Sequence, residues 1–451
     1  AENIDNTILL NRYANAFIGL HVGDWAHYRR NFWEIPVINE TWATLHNAFS
    51  TTDSYVGNDT ILYWPEDGKI HKENPQARVQ GKPAWGKPGV IVCLMDKLPA
   101  TLYMGGLFRN GLAVIVPKKK EHLPAIWAFC SSPEFNKAVR KIDQKLYVTC
   151  GTLVKIPFDL EKWQAVANKS GSLPIQKSED PTQWIFDGNI CDSSNPLLVS
   201  VSRLMGYRWP QQKRDRIFDL IDLDGIVCLP AVNGEPSAAE RLRALLAAAN
   251  GDEWSGTKQE ELLAAVGYSG KDLTDWLRDG FFEQHCKLFQ NRPFIWHIWD
   301  GRKDGFSTLV NYHKLDRANL EKLTYTYLGA WISDRKKDME KGIAGAEGRL
   351  LAAQALQDKL KLILAGEPPY DIFVRWKPLH EQPIGWEPDL NDGVRLNIRP
   401  FVTAGVLRSK FTINWNKDRG KNPDGSERLN ELHFTVAEKR AAREKQSRQK
   451  A

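Results

Sequence analysis

The densest chemistry in this sequence lies in GDWAHYRRNFWEI, residues 23–35, where Arg29 and Arg30 stand among Trp25, Tyr28, Phe32 and Trp33. Arginine can fork onto a phosphate or a guanine edge, and aromatic rings can stack bases. The same residues also suit the aromatic edge of a core, with the arginine stems lying along it. A second concentration follows. Residues 69–120 hold ten basic groups, namely Lys69, Lys72, Arg78, Lys82, Lys87, Lys97, Arg109, Lys118, Lys119 and Lys120, against Glu73 and Asp96, a net +8. Beside Trp85, Tyr103 and Phe108 they suit phosphate contact with stacking or groove readout, or else an ordinary solvated face. The tail from Glu438 carries a net +4 and reads as a solvated helix end before it reads as a binding arm.

No catalytic constellation accompanies these groups. The ten histidines show no HExxH and no pair at ligand spacing, and His297 reads as a packed or exposed strand residue. The six cysteines, Cys93, Cys130, Cys150, Cys191, Cys228 and Cys286, form no CxxC pair, which suits reduced thiols better than zinc or a disulfide scaffold. Gly105–Gly111 is Gly-rich but is neither a P-loop nor GxGxxG, and it reads as a hairpin turn. Glu367-Pro368-Pro369-Tyr370 follows a helix that stops at Gly366, so it reads as a helix stop with a Pro turn. Pro388-Asp389 lacks the second acid and lysine of a nuclease motif. Neither a metal nor a catalytic residue is assigned.

The elements that must position the basic and aromatic groups belong to a globular chain. Its 451 residues are 42% hydrophobic and 26% charged, with net charge +6, which excludes a disordered protein. No run of 18 apolar residues occurs and no secretory signal is visible, so the expectation is a cytoplasmic protein without membrane contact. The pattern predicts an α+β fold in three regions. Residues 1–165 form a β-rich domain. It opens on TILLNRYANAFIGL, which reads as helical, continues in short strands, and carries a helical pair in HLPAIWAFCSSPEFNKAVRKID. It closes on a strand-like LYVTCGTLVKIPFDL. Residues 181–330 form a helical domain, with Ser237 and Glu240 as a capping box and a β-hairpin across Arg292–Leu315. Residues 331–451 hold one long charged helix over 335–366, an irregular Trp- and Pro-rich segment and the basic tail.

RPFIWHIWDGRKDGFSTLVNYHKLDRANLEKLTYTYLGAWI (292–332) resembles the post-catalytic region of large bacterial class I DNA adenine-N6 methyltransferases, the group of type IIG restriction-modification enzymes and BREX- or DISARM-like phage-defence methylases. Residues 181–210, 368–401 and 413–421 are similar to the same group. GDWAHYRRNFWE and LPAIWAFCSSPEFNKAVRKIDQKLYVTCGTLVKIPF look like the entry and exit of its target-recognition domain. The resemblance implies that residues 1–165 read a short sequence in double-stranded DNA while a catalytic domain flips an adenine. The expected DNA contacts are Arg29, Arg30, Arg78, Lys82, Trp85, Lys87, Arg109, Lys118, Lys119 and Lys120. The family's Phe-x-Gly-x-Gly motif and Asn-Pro-Pro-aromatic loop are absent from this sequence. S-adenosylmethionine is therefore expected in the complete enzyme and not on this chain. The implied partners are the methyltransferase catalytic domain or subunit and other defence-system proteins. A rival reading is a non-catalytic interaction scaffold of a defence complex, which the 17 Trp and the long helix suit. A nuclease is disfavoured by the lack of an acid cluster with metal spacing.

Overall fold

Short β-branched runs punctuated by Gly, Pro and Asn give the N-terminal part of the chain two four-stranded sheets. The computed structural model describes residues 8–366, 370, 377–408 and 434–450. It divides into two units, Ala1–Phe32 with Val37–Asp187, and Trp33–Pro36 with Gly188–Ala451.

In chain order the first unit holds β1 (Ala14–Ile18), α1 (Trp25–Tyr28), β2 (Arg29–Asn31), β3 (Trp42–His46), β4 (Thr60–Tyr63) and α2 (Pro65–Glu73). It continues with β5 (Gly89–Cys93), β6 (Ala100–Tyr103), β7 (Leu107–Phe108), β8 (Leu112–Pro117), α3 (Leu123–Cys130), α4 (Pro133–Ile142) and α5 (Leu160–Ser170). One sheet has the order β1-β8-β5-β6 and the other β2-β4-β3-β7. Strands β5, β6 and β8 of the first sheet are buried on both faces, so they read as continuous apolar runs rather than alternating ones, while the edge strand β1 buries only Ala14 fully. Val90, Val92, Ala113 and Ile115 pack against Leu123, Ile126 and Phe129 of α3. Ile91, Leu112 and Val114 enter a separate cluster with Tyr103 and Phe108. The predicted helical pair is present. Pro133 occupies the first turn of α4, where its missing N–H costs nothing, and so restarts the helix after Ser131-Ser132.

Three local expectations are corrected in this unit. TILLNRYANAFIGL is not helical: after one turn at Leu10–Arg12 it becomes β1, because Ala14–Ile18 pair with Ala113–Pro117. LYVTCGTLVKIPFDL contains no strand. Cys150–Val154 form a 3-10 turn, and Pro157 contributes only an isolated bridge to Leu9. The Gly-rich segment is not a hairpin turn either, since β6 and β8 are not neighbours; its middle forms β7, parallel to β3 in the other sheet.

The second unit holds α6 (Pro196–Leu204), β9 (Ile226–Cys228), α7 (Ala238–Asn250), α8 (Gly256–Ala265), α9 (Leu273–Asp279) and α10 (Phe281–Leu288). Then follow β10 (Ile295–Trp299), β11 (Ser307–Asn311), α11 (Arg317–Glu321), a π-helical stretch over Lys322–Tyr327, α12 (Leu328–Glu340) and α13 (Ala346–Ala365). The last helices are α14 (Val394–Asn397), α15 (Arg399–Ala404) and α16 (Val436–Lys450). The chain is thus an α+β protein. The hairpin forms with Trp299 opposite Ser307, and β11 also pairs with β9. The capping box forms as well: Ser237 accepts from the Glu240 N–H at 3.3 Å, and Glu240 accepts from the Ser237 N–H at 2.9 Å. The long helix does not begin at residue 335. Gly342 and Gly345 take positive φ, which a helix interior cannot hold, so the chain breaks into α12 and α13. Most of the tryptophans of the family-like segments are core residues: Trp33, Trp209, Trp296 and Trp386 are fully buried, and Trp184 and Trp331 nearly so. Glu367-Pro368-Pro369 and residues 413–421 lie outside the described residues.

Candidate nucleic-acid interface

The second sheet of the first unit decides where Arg29 and Arg30 go. Side chains alternate across a strand, so two adjacent arginines must face opposite ways. In β2, Arg29 stands beside Leu62 and Ala43, and Arg30 beside Ile61 and Thr44. Arg30 is the inward one, 2% exposed. Its Nη1 donates to the carbonyls of His27 at 2.9 Å and Arg29 at 2.8 Å, and its guanidinium lies 5.9 Å from the Trp42 ring centre. Arg30 is therefore held inside the fold, away from any external phosphate.

Arg29 shares its face with an apolar and aromatic cluster. Leu20, Val22, Leu45, Leu62, Trp64 and Leu107 form its centre, and Trp25, Tyr28 and Trp85 pack on it. The rings meet edge to face, with Trp64–Trp85 centroids at 6.0 Å and Tyr28–His71 at 4.8 Å. His71 is buried with Nε2 at 2.8 Å from the Tyr63 carbonyl oxygen, and burial lowers its pKa, so it acts as a neutral filler. Trp85 is half-buried and its indole nitrogen has no hydrogen-bond partner.

Arg109 reaches the same place from eighty residues away. The chain at Leu20-His21 is bridged by Arg109 through Leu20 and by Arg78 through His21. Gly19 makes the approach possible: a Cβ there would lie 2.2 Å from the Arg109 carbonyl oxygen. The Arg109 guanidinium donates to Asn47 Oδ1 at 3.1 Å and sits 5.3 Å from the Trp25 ring centre. Burial, and next the neighbouring Arg29 charge, hold the Arg109 guanidinium below its ordinary pKa. Two like charges thus share a half-buried aromatic surface, an arrangement that an approaching polyanion would relieve.

The remaining basic groups divide by pairing and position. Arg29, Arg78, Lys82, Lys87 and Arg109 have no ion pair among the described residues, and Arg78, Lys82 and Lys87 are exposed. By contrast Lys69 pairs with Glu66 at 3.6 Å, Lys72 with Asp67 at 2.7 Å, and Lys119 with Glu121 at 3.7 Å. The Lys72 hydrogen bond is the leading cause of the lowered Asp67 pKa. Lys118, Lys119 and Lys120 are exposed beyond the far end of β8 from Arg109, and Lys118 donates to the Asn11 carbonyl at 2.7 Å. At about 3.3 Å per residue the six steps from Leu112 to Lys118 put them roughly 20 Å away. The structure does not bring these three lysines to the Arg29–Arg109 surface. It does bring in Trp25, which is absent from the expected contacts although it stands in the same GDWAHYRR segment as Arg29.

No group of three or more His, Cys, Asp or Glu able to hold a metal ion exists among the described residues. No Gly-rich turn joins a strand directly to a helix among them, and the strand pairs are antiparallel apart from Leu45-His46 with Leu107-Phe108. No described helix is long and apolar enough to cross a membrane.

No protein-family model matches the chain. Two curated proteins do, over short stretches. Adenine-specific methyltransferase PglX of Lacticaseibacillus casei (strain Zhang) is 34% identical over 61 residues, 13% of this chain and 5% of that protein. Adenine-specific methyltransferase BrxX of Escherichia coli O9:H4 (strain HS) is 26% identical over 132 residues, 28% of this chain and 10% of that protein. This chain is similar to adenine-specific methyltransferases. The matched stretches span a tenth or less of the relatives' own length.

Proposed function

We propose that this chain is the DNA-recognition and scaffold portion of a site-specific DNA (adenine-N6) methyltransferase of bacterial restriction-modification or phage defence. The observation that carries the reading is Arg109 against the Trp25 ring with the Arg29 charge beside it, both half-buried and without ion pairs among the described residues. Exposed Arg78, Lys82 and Lys87 add unneutralised charge to the same unit. Arginine beside aromatic rings is the chemistry that grips phosphate and reads or stacks bases. The partial similarity to adenine-specific methyltransferases supplies the reaction class. In this reading the first unit touches double-stranded DNA, and the groups that hold S-adenosylmethionine and accept from the target amine come from a catalytic domain or subunit. Other defence proteins would dock on the remainder. The scaffold-only rival drew on the tryptophan excess, but most of those rings are spent on the cores. Fluorescence anisotropy of the whole chain with a labelled duplex tests the proposal: salt-sensitive binding is expected, and absence of binding at low salt overturns it.

A further inference from the structure

The second unit contains a cavity that the DNA reading does not use. Its volume is about 210 Å³, and its floor is the hairpin face bearing His297, Trp299 and Ser307. Trp331 of α12 and Arg278 of α9 wall it, and Arg302, Lys303 and Arg408 stand around it.

Two buried side chains of this wall each carry one polar atom without a partner. His297 is fully buried; its Nε2 lies 3.2 Å from Ser307 Oγ, and its Nδ1 has no hydrogen-bond partner. Burial, and next the Arg408 charge, push its pKa down to about 3, so the ring is neutral and can present a donor or an acceptor. Trp331 is 8% exposed, and its indole N–H, a donor only, also lacks a partner. Unsatisfied buried polar atoms are costly, and a pair of them on one cavity wall calls for a ligand or ordered water.

The charge around the cavity is mostly positive. Asp304 is the one carboxylate of the lining, held by Arg302 at 2.9 Å. Asp279 stands behind the wall, binding Arg278 at 2.7 Å and Arg408 at 2.9 Å. Lys303 is nearly free: it is 72% exposed and 3.9 Å from Asp279. Arg408 stacks on Trp299 and Arg335 on Trp331, each at 4.2 Å, so planar groups are already layered beside the cavity. The volume is below the roughly 300 Å³ of pockets for drug-sized ligands, so it suits one heterocycle with its anionic group outside.

We infer that this cavity binds a free purine mononucleotide, with the base edge on Trp331 and His297 and the phosphate at Lys303 and Arg302. The inference does not depend on the DNA reading, and its test contains no DNA. The full chain, labelled with ¹⁵N, is titrated with AMP, adenosine and inorganic phosphate while the indole N–H signals are followed. The Trp331 signal is assigned from its loss in Trp331→Phe. AMP is expected to move that signal, adenosine to move it only at much higher concentration, and phosphate not to move it. Lys303→Glu, at an exposed site that leaves the fold intact, is expected to weaken AMP about tenfold. A Trp331 signal unmoved by AMP means a water-filled cavity only and overturns the inference. Adenosine equal to AMP, or AMP binding unchanged in Lys303→Glu, overturns the phosphate site.

Discussion

Removing Arg29 and Arg109 together should change the salt dependence of DNA binding by a calculable amount. Five of the expected DNA-contacting cations carry no ion pair among the described residues and do not belong to the Lys118–Lys120 end of β8: Arg29, Arg78, Lys82, Lys87 and Arg109. If each displaces one counterion from duplex DNA, log K against log salt falls with a slope of about −4.5, and affinity drops about 500-fold between 50 and 200 mM salt. Arg29→Gln with Arg109→Gln leaves three such cations, so the slope becomes about −2.7 and the same salt step costs only about 40-fold. The control is Lys69→Gln with Lys72→Gln. Those lysines already sit on Glu66 and Asp67, and losing them should leave the slope in place. The assay is anisotropy of a labelled duplex at a series of salt concentrations, with thermal melting to confirm that each variant is folded. A double-arginine variant with the slope of the parent, or a control pair that flattens it equally, refutes the reasoning.

Other perturbations follow from the same geometry. Arg30→Ala should cost about 2–3 kcal/mol of stability, because the His27 and Arg29 carbonyls lose their buried donor; a urea midpoint equal to the parent's would contradict the inward placement. Gly19→Ala forces a Cβ against the Arg109 carbonyl, so it should destabilise by about 1–3 kcal/mol and also weaken DNA binding. Unchanged anisotropy together with an unchanged midpoint would dismiss it. His285, His297 and His313 are buried, and burial pushes each down to a pKa of about 3. An unfolded imidazole takes its proton near pH 6.5. As pH falls through that interval the unfolded chain binds more protons, so stability is lost by up to about 4 kcal/mol per pH unit for the three groups. Urea unfolding at pH 7 and pH 5 measures this, and equal midpoints would refute it.

What the sequence displays well is whatever its own neighbours decide. Ser237 and Glu240 are three residues apart and needed nothing else to form their box. The hairpin at 295–311 and the helix pair around Pro133 are local in the same sense. Long-range pairing is what local patterns hide. TILLNRYANAFIGL has enough apolar residues for a helix, yet β8, a hundred residues on, claims it as a strand. The basic window shows the same limit. It began two residues after Asp67 and so omitted the partners of Lys69 and Lys72. It also joined Arg109 to Lys118–Lys120, which the length of β8 separates. The opposite fates of Arg29 and Arg30 were open to the two-residue period of a strand, once RRN was known to be one.

The short run Trp33–Pro36 has a practical consequence for anyone building chimeras. It lies between β2 and β3 of the first unit but packs within the second, where Trp33 Nε1 donates to the Arg292 carbonyl at 3.1 Å and His313 Nε2 lies 2.8 Å from the Trp33 carbonyl oxygen. The chain therefore passes from one unit to the other three times, at 32/33, 36/37 and 187/188. A single cut near residue 187 excises the first unit with a fully buried tryptophan stripped of its pocket and leaves a hole in what remains. Exchanging specificity between relatives by grafting one continuous cassette would break both halves. A graft that keeps the host's own Trp33–Pro36, spliced at the three junctions 32/33, 36/37 and 187/188, would preserve them.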